Sequence, residues 1–281
     1  MPGELGAGEL RIGISGWRYA GWRGDFYPKG LPQRRELEHA ASQLTSIEIN
    51  GSFYSLQRPT SYAAWRAAVP DDFVFSVKGG RFITHLKRLR DVDTALANFF
   101  ASGVLALGPT LGPVLWQLPA TLRFEAEVLD DFLGWLPRST GAAADLARRH
   151  DDKLADDRAL TTTEVDRPLR HALEFRSETF VDPAAYEVLR RHGVACVLAD
   201  TAGRWPKVEQ DTADFRYVRL HGDAELYASG YSAQALDAWA EKCGGWAATG
   251  QDVFVYFDND AKGFAPHDAM ALMERLGVAS G

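Results

Sequence analysis

Eight short apolar segments recur along the chain, and stretches with helical character lie between them. Each segment is rich in β-branched or aromatic residues and is bounded by turn or polar residues, as buried strands are. The predicted strands are 11–16 (RIGISG), 46–50 (SIEIN), 73–78 (FVFSVK), 114–118 (VLWQL), 172–176 (ALEFR), 195–200 (ACVLAD), 215–221 (FRYVRLH) and 253–258 (VFVYFD). The predicted helices are 33–44, 61–69, 91–107, 124–136, 183–192, 233–247 and 266–276. This alternation predicts a parallel α/β sheet, and eight units favour a single closed, TIM-like (β/α)8 barrel.

The chain length fits this architecture. Its 281 residues suit one barrel domain over 1–281, since such barrels take about 250 residues. An open doubly wound sheet is the alternative, but the loop at 13–16 (GISG) lacks the third glycine of a dinucleotide-binding turn. Segment 137–171 interrupts the alternation. It is polar, and it is predicted to add a surface helix and a mobile loop before the fifth strand rather than a second domain.

The charge balance limits the partners we expect. With 31 Lys and Arg against 38 Asp and Glu, the net charge is −7, which disfavours general nucleic-acid binding because phosphate neutralisation needs clustered cations. No apolar run approaches the roughly 20 residues of a membrane span, and no secretory signal is evident. We therefore expect a cytoplasmic protein with no membrane partner. Cys196 and Cys243 form no motif and are predicted to be ordinary buried thiols.

Polar side chains collect at the C-terminal ends of the predicted strands, where the active sites of barrels lie. Side chains alternate along a strand, so placing the apolar residues against the helices turns the polar residues into the barrel. The inward set comprises Ser15, Glu48, Asn50, Ser76, Lys78, Gln117, Glu174, Arg176, Tyr217, Arg219, His221, Tyr256 and Asp258, with Asp200 ending the sixth strand and Asn259 beside the eighth. This rim is the strongest functional indication in the sequence.

Two interpretations of the charged rim residues stay open. In one, His221 and either Glu48 or Glu174 move protons, and Lys78, Arg176 and Arg219 hold an anion. Lys78 is alternatively a Schiff-base lysine or a general base. In the other, carboxylates and cations neutralise one another as ion pairs, because unpaired buried charge is costly. Both can hold at once, since active sites contain such networks. For Lys78, an anion anchor or an ion pair is favoured over a Schiff base.

The loops after the first three strands add further candidates. Segment 81–90 contains His85 and four cations, which either bind phosphates or are simply solvated. Most aromatic residues of the first two loops are expected to pack on the barrel. Trp17, Tyr19 and Tyr54 are instead expected to be exposed in the cleft, where they would stack on bases or sugars.

A metal centre has weaker support. Zinc and multi-metal hydrolases need several converging histidine and carboxylate ligands, whereas only His85 and His221 of the seven histidines fall at predicted strand ends. A single divalent ion held by carboxylates and one histidine is compatible with the sequence. A trinuclear site is not expected, and no cofactor is evident.

Seven blocks resemble, in order, the domain of unknown function 72 family. They are 13–28 (GISGWRYAGWRGDFYP), 46–60 (SIEINGSFYSLQRPT), 73–89 (FVFSVKGGRFITHLKRL), 115–119 (LWQLP), 173–176 (LEFR), 217–222 (YVRLHG) and 255–260 (VYFDND). The resemblance implies a TIM-like barrel. It also implies a set of family residues: Trp17, Tyr19, Glu48, Asn50, Phe53, Tyr54, Lys78, Thr84, His85, Gln117, Glu174, Arg176, Arg219, His221, Gly222 and Asn259. It implies no reaction, since likeness in fold to xylose-isomerase and endonuclease-IV-like barrels is an analogy only.

Three functions are therefore considered. The favoured one is an enzyme, of hydrolase or isomerase type, that binds a small polar or anionic ligand such as a sugar, a sugar phosphate or a nucleotide fragment. The alternative is a nucleic-acid-binding or lesion-processing protein, with segment 81–90 on phosphates and aromatic residues stacking an extruded base. The third is a ligand-binding module without catalysis. The sequence leaves the oligomeric state open.

Overall fold

A computed structural model describes residues 6–280 and places nine parallel strands of this range in one sheet. The strands are β1 Leu10–Ser15, β2 Ser46–Ile49, β3 Val74–Lys78, β4 Leu111–Gln117, β5 His171–Glu174, β6 Ala195–Cys196, β7 Leu198–Asp200, β8 Phe215–Leu220 and β9 Asp252–Phe257. Their order across the sheet is β6-β5-β4-β3-β2-β1-β9-β8-β7. The pairing of β1 with both β2 and β9 joins the first strand to the last, as a barrel requires.

The sheet closes because β6 and β7 are two halves of one extended segment. β6 pairs with β5, and β7 pairs with β8. Between the two halves, the Val197 N–H donates to the Leu173 carbonyl at 3.0 Å. The sixth predicted strand is thus one passage with an interruption, and the predicted TIM-like barrel is confirmed. Its parallel strands bring all their C-terminal ends to one mouth.

Helices connect the strands and cover the outside of the barrel. They are α1 Glu36–Ala41, α2 Gly51–Tyr54, α3 Pro59–Ala67, α4 Asp93–Ala101, α5 Ala126–Trp135, α6 Thr140–Ala147, α7 Pro183–His192, α8 Ala233–Ala248 and α9 Phe264–Leu276. Helix α7 has the predicted ends. Asp182 accepts from the Ala184 N–H at its N-terminus, and Gly193 ends it with a φ of 59°.

Four helical details differ from the prediction. The stretch 91–107 is not one helix, because Gly103 adopts a φ of 113° after α4 and a 3-10 turn follows at Val104–Thr110. The stretch 33–44 begins with a 3-10 turn at Gln33–Arg35. The short α2 and a π turn at Phe82–Leu86 were not predicted. Both follow strands directly at the mouth, and neither is long enough to show a helical period.

Alternation along the strands separates two apolar cores. Ile12, Ile14 and Ile47 point outward and are fully buried with the helices. The barrel interior nearer the N-terminal strand ends is filled by Leu115, Ala172, Ala195, Val197, Ala199, Phe215, Tyr217, Phe254 and Tyr256. The polar residues of the mouth lie above this packed interior, which confirms the predicted sorting of inward and outward side chains for most strands.

Segment 137–171 packs more closely than predicted. Helix α6 contacts α4, and small or apolar residues such as Ala143 and Ala147 are buried there, so α6 is not simply a surface helix. Hydrogen bonds also hold the following loop. Asn98 Nδ2 donates to Asp151 Oδ1 at 2.8 Å, and Arg66 Nη1 donates to Glu164 Oε1 at 2.6 Å.

Both cysteines are buried free thiols, as predicted. Burial raises the pKa of Cys196 and of Cys243 to about 12, so neither thiol is a ready nucleophile at neutral pH. Across residues 6–280, no helix has both the length and the apolar character needed to cross a bilayer.

Gly13 is required where β1 lies against β2. A Cβ at this position would lie 1.7 Å from the Ser46 carbonyl oxygen, so Gly13→Ala must push the two strands apart. We expect a loss of more than about 2 kcal/mol of unfolding free energy, measured by urea denaturation. The control is Gly21→Ala, whose Cβ would meet nothing within 4 Å. Equal effects of the two substitutions would contradict this account.

Candidate active site

Arg219, on β8, lies at the centre of the mouth and is fully buried. Its guanidinium donates to Glu48 Oε1 at 2.9 Å and Oε2 at 3.1 Å, to Glu174 Oε2 at 2.6 Å and to Asp258 Oδ2 at 2.9 Å. It also donates to Ser15 Oγ at 3.1 Å. These acceptors come from β1, β2, β5 and the residue after β9, so one side chain joins strands all around the barrel.

Glu48 and Glu174 use both carboxylate oxygens in this network. Besides Arg219, Glu48 accepts hydrogen bonds from Ser15 Oγ and the Tyr217 hydroxyl, each at 2.7 Å. Glu174 accepts from Arg176 Nε at 2.7 Å. Burial raises the pKa of Glu174, but Arg176 and Arg219 outweigh it and hold the pKa well below its usual value. Ion pairing therefore accounts for both carboxylates, and their predicted proton-transfer roles stay predictions.

The charges packed around Arg219 balance. Three carboxylates face three cations, and the formal sum is zero when His221 is neutral: Glu48, Glu174 and Asp258 against Lys78, Arg176 and Arg219. Each nitrogen of the Arg219 guanidinium already donates to a residue of the network. The hydrogen bonds of Arg219 are therefore all used within the protein. No N–H of its guanidinium is left to bind the anion, although the sequence predicted Arg219 as an anion-binding residue.

Lys78, at the end of β3, is the exception in this arrangement. The residue is 8% exposed, and its Nζ forms no hydrogen bond or ion pair with residues 6–280. The nearest contact given for the amine is the Phe53 ring, whose centroid lies 4.6 Å away. Burial and then Arg219 lower the pKa of Lys78 from 10.5 to about 8, against the opposing effect of the three carboxylates. Lys78 is thus a buried amine that exchanges protons near neutral pH.

His221 lies between Arg219 and Asp258. Arg219 Nη1 lies 3.4 Å from His221 Nε2, which as an acceptor leaves the proton of the neutral ring on Nδ1. His221 Nδ1 is 3.0 Å from Asp258 Oδ2, but the angle is outside hydrogen-bond geometry, so this buried nitrogen lacks a hydrogen-bond partner among the described residues. Burial raises the pKa of Asp258, and Arg219 and His221 outweigh it and lower that pKa below its usual value.

His85 lies in the π turn that follows β3. Its Nδ1 is 2.9 Å from Thr84 Oγ1, and its ring packs edge-on against Phe53. Burial, then Lys78 and Arg176, lower the pKa of His85 to about 4, so the ring is neutral at pH 7. Single π turns inside proteins often occur at functional sites.

Arg176 forms one wall of the mouth together with Trp205. Its guanidinium carbon lies 3.7 Å from the centroid of the Trp205 ring, and only Nε is engaged, with Glu174. Neither terminal nitrogen has a hydrogen-bond partner among residues 6–280, and 14% of the side chain is exposed. Tyr227 packs edge-on against His221 at 5.3 Å and adopts a φ of 63°. Trp205 and Tyr227 were not predicted as site residues, because both lie in long loops without a strand pattern.

A groove of about 290 Å³ lies beside the mouth and includes Tyr19 and Asn50. The Tyr19 hydroxyl donates to the Ser15 carbonyl at 2.6 Å, and the buried Oδ1 of Asn50 has no hydrogen-bond partner among the described residues. Trp17 also borders the groove, but it is only 6% exposed and packs on Trp65. The expectation that Trp17 is exposed was wrong. The chain turns at Gly16 and directs the indole against α3, whereas Tyr54 is 66% exposed, as expected.

Several predicted rim residues lie away from the open part of the mouth. Tyr256 is buried in the apolar interior, with its hydroxyl 2.7 Å from Ser46 Oγ. Gln117 is 4% exposed and donates to the Leu118 carbonyl at 2.9 Å. Asn259 Nδ2 donates to Ser229 and Asp268, and so supports the loop after β8.

Asp200 is not part of the rim, which corrects the prediction. Alternation from the inward Val197 and Ala199 turns Asp200 away from the barrel interior, and its carboxylate pairs with Lys207 Nζ at 2.9 Å.

The four cations of segment 81–90 do not form one anion site. Arg88 donates to the Thr121 carbonyl at 2.7 Å, and Arg90 pairs with Glu125 at 2.7 Å. Arg81 lies 5.8 Å from the Tyr54 ring, and Lys87 borders a separate cavity next to α4. The segment therefore spreads its charge over the surface.

The carboxylates of the mouth converge on a guanidinium. Within residues 6–280, no group of three or more His, Cys, Asp or Glu side chains has an arrangement that could hold a metal ion. A single divalent ion held by carboxylates and one histidine, which the sequence left open, has no such ligand set in the described residues.

The fold and the site together define a parallel eight-stranded α/β barrel with a polar mouth arranged around the buried Arg219. The chain belongs to the family described as protein of unknown function DUF72, whose model matches residues 11–281. The resemblance seen in the sequence blocks is thereby confirmed.

Named relatives are distant in sequence but match over most of their length. UPF0759 protein YunF of Bacillus subtilis (strain 168) is 23% identical over 298 residues, covering 96% of this chain and 95% of that protein. UPF0759 protein YecE of Escherichia coli O157:H7 is 26% identical over 246 residues, covering 85% and 83%. The crystal structure of a DUF72 family protein from Thermotoga maritima matches with a TM-score of 0.72 at 23% identity, covering 96% of this chain and 99% of that one. This structural likeness shows the fold.

Removing Arg219 should be strongly destabilising. Arg219→Met leaves three buried carboxylates without their shared cation, so we expect a loss of about 3–5 kcal/mol of unfolding free energy in urea. Arg148→Met is the control, because Arg148 is exposed and pairs only with Asp145 on the same helix end. A change below about 1 kcal/mol in Arg219→Met would contradict the central role of this guanidinium.

Removing Lys78 should have the opposite effect. The protonated amine is disfavoured in the folded state, so Lys78→Met should stabilise the protein by roughly 1–3 kcal/mol at pH 7. The charged or titratable groups that act on the amine are Arg219 of β8, Glu48 of β2, Glu174 of β5, Asp258 after β9 and His85 of the π turn. The exposed Lys262, paired with Glu225, supplies the control Lys262→Met.

The advantage of Lys78→Met should also depend on pH. Between about 8 and 10.5 the unfolded wild type holds a proton on Lys78 that the folded state has released. The unfolding free energy of the wild type therefore rises with pH in this window relative to that of Lys78→Met, so the stability advantage of the variant becomes smaller. Urea denaturation of both proteins from pH 7 to 10.5 measures it, and destabilisation by Lys78→Met would show that Lys78 is a structural ion-pair partner.

Proposed function

We propose that the protein is an enzyme that acts on a small anionic ligand, such as a sugar phosphate, at the C-terminal mouth of the barrel. Arg176 holds the anionic group of the ligand, and Lys78 and His221 exchange protons with it. The observation that carries the proposal is the buried amine of Lys78, which has no carboxylate at ion-pair distance in a mouth where the other charges are closely paired.

A lysine kept only for structure would be expected to be paired. An uncompensated buried ammonium is costly, and three carboxylates act on Lys78 electrostatically without bonding to it. Their oxygens are bound by guanidinium groups, which do not release protons near neutral pH. Lys78, with a pKa of about 8, is able to do so, and such tuned groups are typical of active sites.

Arg176 suits the anion because neither of its terminal nitrogens has a hydrogen-bond partner among residues 6–280 and 14% of the side chain is exposed. Its guanidinium stays charged at all relevant pH values and can donate two parallel hydrogen bonds to a phosphate or carboxylate. The aromatic rings of Trp205 and Tyr227 are suited to pack against the apolar side of a sugar ring. A nucleic-acid partner has less support, since Arg88 and Arg90 of segment 81–90 are occupied elsewhere. A cytoplasmic location remains our expectation, and the two free thiols suit a reducing compartment.

Titration calorimetry with inorganic phosphate and ribose 5-phosphate tests the anion site. We expect binding by the wild type and a loss of about tenfold or more in Arg176→Gln, because a charged hydrogen-bond donor is removed. Arg148→Gln, which changes an exposed arginine, should bind as the wild type does. Affinity should also fall as pH rises through about 8, where Lys78 loses its charge.

Two results would count against the proposal. Unchanged affinity of Arg176→Gln for phosphate and ribose 5-phosphate would show that the anion binds at another surface. Tight binding without turnover over a panel of phosphorylated sugars would favour the ligand-binding module over an enzyme.

A further inference from the structure

The amine of Lys78 has chemistry that an arginine at the same place would lack. Nothing in residues 6–280 bonds to its Nζ, and burial removes most of the water that would stabilise the ammonium. Electrostatic repulsion by the positive guanidinium of Arg219 further disfavours the charged form of the amine. A desolvated lysine beside a second cation is the usual setting of a nucleophilic amine. With a pKa of about 8, roughly a tenth of the molecules have the neutral amine at pH 7.

The contrast between Arg176 and Lys78 supports the same conclusion about the Lys78 amine. An anion anchor needs a permanent charge, and Arg176 supplies one at the Trp205 wall. Lys78 faces the Phe53 ring at 4.6 Å and has no carboxylate that would hold it protonated at ion-pair distance. One cation is therefore fixed, and the other is free to become neutral.

One imidazole lies near the amine, where it suits the proton transfers that such a nucleophile needs. His85 lies close enough for Lys78 to act on its titration, and its Nδ1 is engaged with Thr84, which leaves Nε2 for the mouth. His221 is a second imidazole of the mouth, with its Nδ1 3.0 Å from Asp258 Oδ2.

We propose that Lys78 forms an imine with the carbonyl carbon of a small aldehyde or ketone that also has a phosphate or carboxylate group. The Nζ lone pair forms the C–N bond, the carbonyl π pair moves to oxygen, and oxygen gains the proton that nitrogen loses. The carbinolamine then releases its hydroxyl with a proton as water, while the nitrogen lone pair forms the C=N bond. Amine and carbonyl thus give imine and water, with no oxidant or reductant. The inference rests on the proposed function for the anionic group, which Arg176 holds.

Reductive trapping tests this inference. The full-length protein is incubated separately with glyoxylate, pyruvate and glyceraldehyde 3-phosphate, and sodium borohydride then converts any imine to a stable secondary amine. Intact mass and peptide mapping locate the adduct. We expect one dominant adduct at Lys78, reduced by competing inorganic phosphate and lowered about tenfold or more in Lys78→Arg, which keeps the charge but not the nucleophile. Lys29→Arg, which alters an exposed lysine, should be labelled at Lys78 as the wild type is.

The outcomes separate this inference from the proposed function. Labelling confined to exposed lysines, or none at Lys78 with all three compounds, would overturn the imine. If phosphate binding is retained in that case, the anionic-ligand function stands alone. Absence of both the Lys78 adduct and phosphate binding would overturn both the imine and the proposed anionic-ligand function. Calorimetry with phosphate on Lys78→Arg shows whether its mouth is intact, and the wild-type peptide map decides the matter if that variant does not fold.

Discussion

The arrangement of the mouth depends on one buried guanidinium. Arg219 donates to carboxylates from three different parts of the barrel wall and to a serine from a fourth. A buried ion pair of this kind adds little net stability compared with an apolar core, but removing one partner is very costly. Its value to the protein is therefore geometric. It holds the C-terminal ends of β1, β2, β5 and β8 in one register above the apolar interior.

This network explains why a lysine is left with an unusual environment. Guanidinium groups bind carboxylates through two or more N–H donors, so Arg219 and Arg176 take the oxygens of Glu48 and Glu174. Lys78 is close enough to be acted on by all three carboxylates and has none as an ion-pair partner. The contacts that pair the carboxylates with arginine thus leave one amine with a lowered pKa at the end of β3. Structure and proposed chemistry follow from one set of contacts.

Much of the fold was predictable because strand periodicity is strong. The outward Ile12 and Ile14 against the inward Ser15, and Ile47 against Glu48, identified the barrel and its polar mouth. Pairing was not predictable, since Glu48 and Glu174 look alike in sequence and only side-chain distances show that Arg219 binds both. Alternation from Ala195 would have turned Asp200 outward; the error came from assuming that every residue at a strand end faces inward. Trp205 and Tyr227 reach the site through loop conformations, which have no periodic signal.

The most direct test of this account is the titration of the lysine side chains by heteronuclear NMR of their ε-methylene and Nζ atoms. The chain has seven lysines, and Lys78→Arg assigns the signal of interest. We predict that the Lys78 signal titrates near pH 8, well below the 10.5 of an unperturbed lysine side chain. A Lys78 signal that titrates above pH 10 would show that the amine is held as an ordinary ion-pair cation. That result would contradict the central claim that the Arg219 network leaves it free.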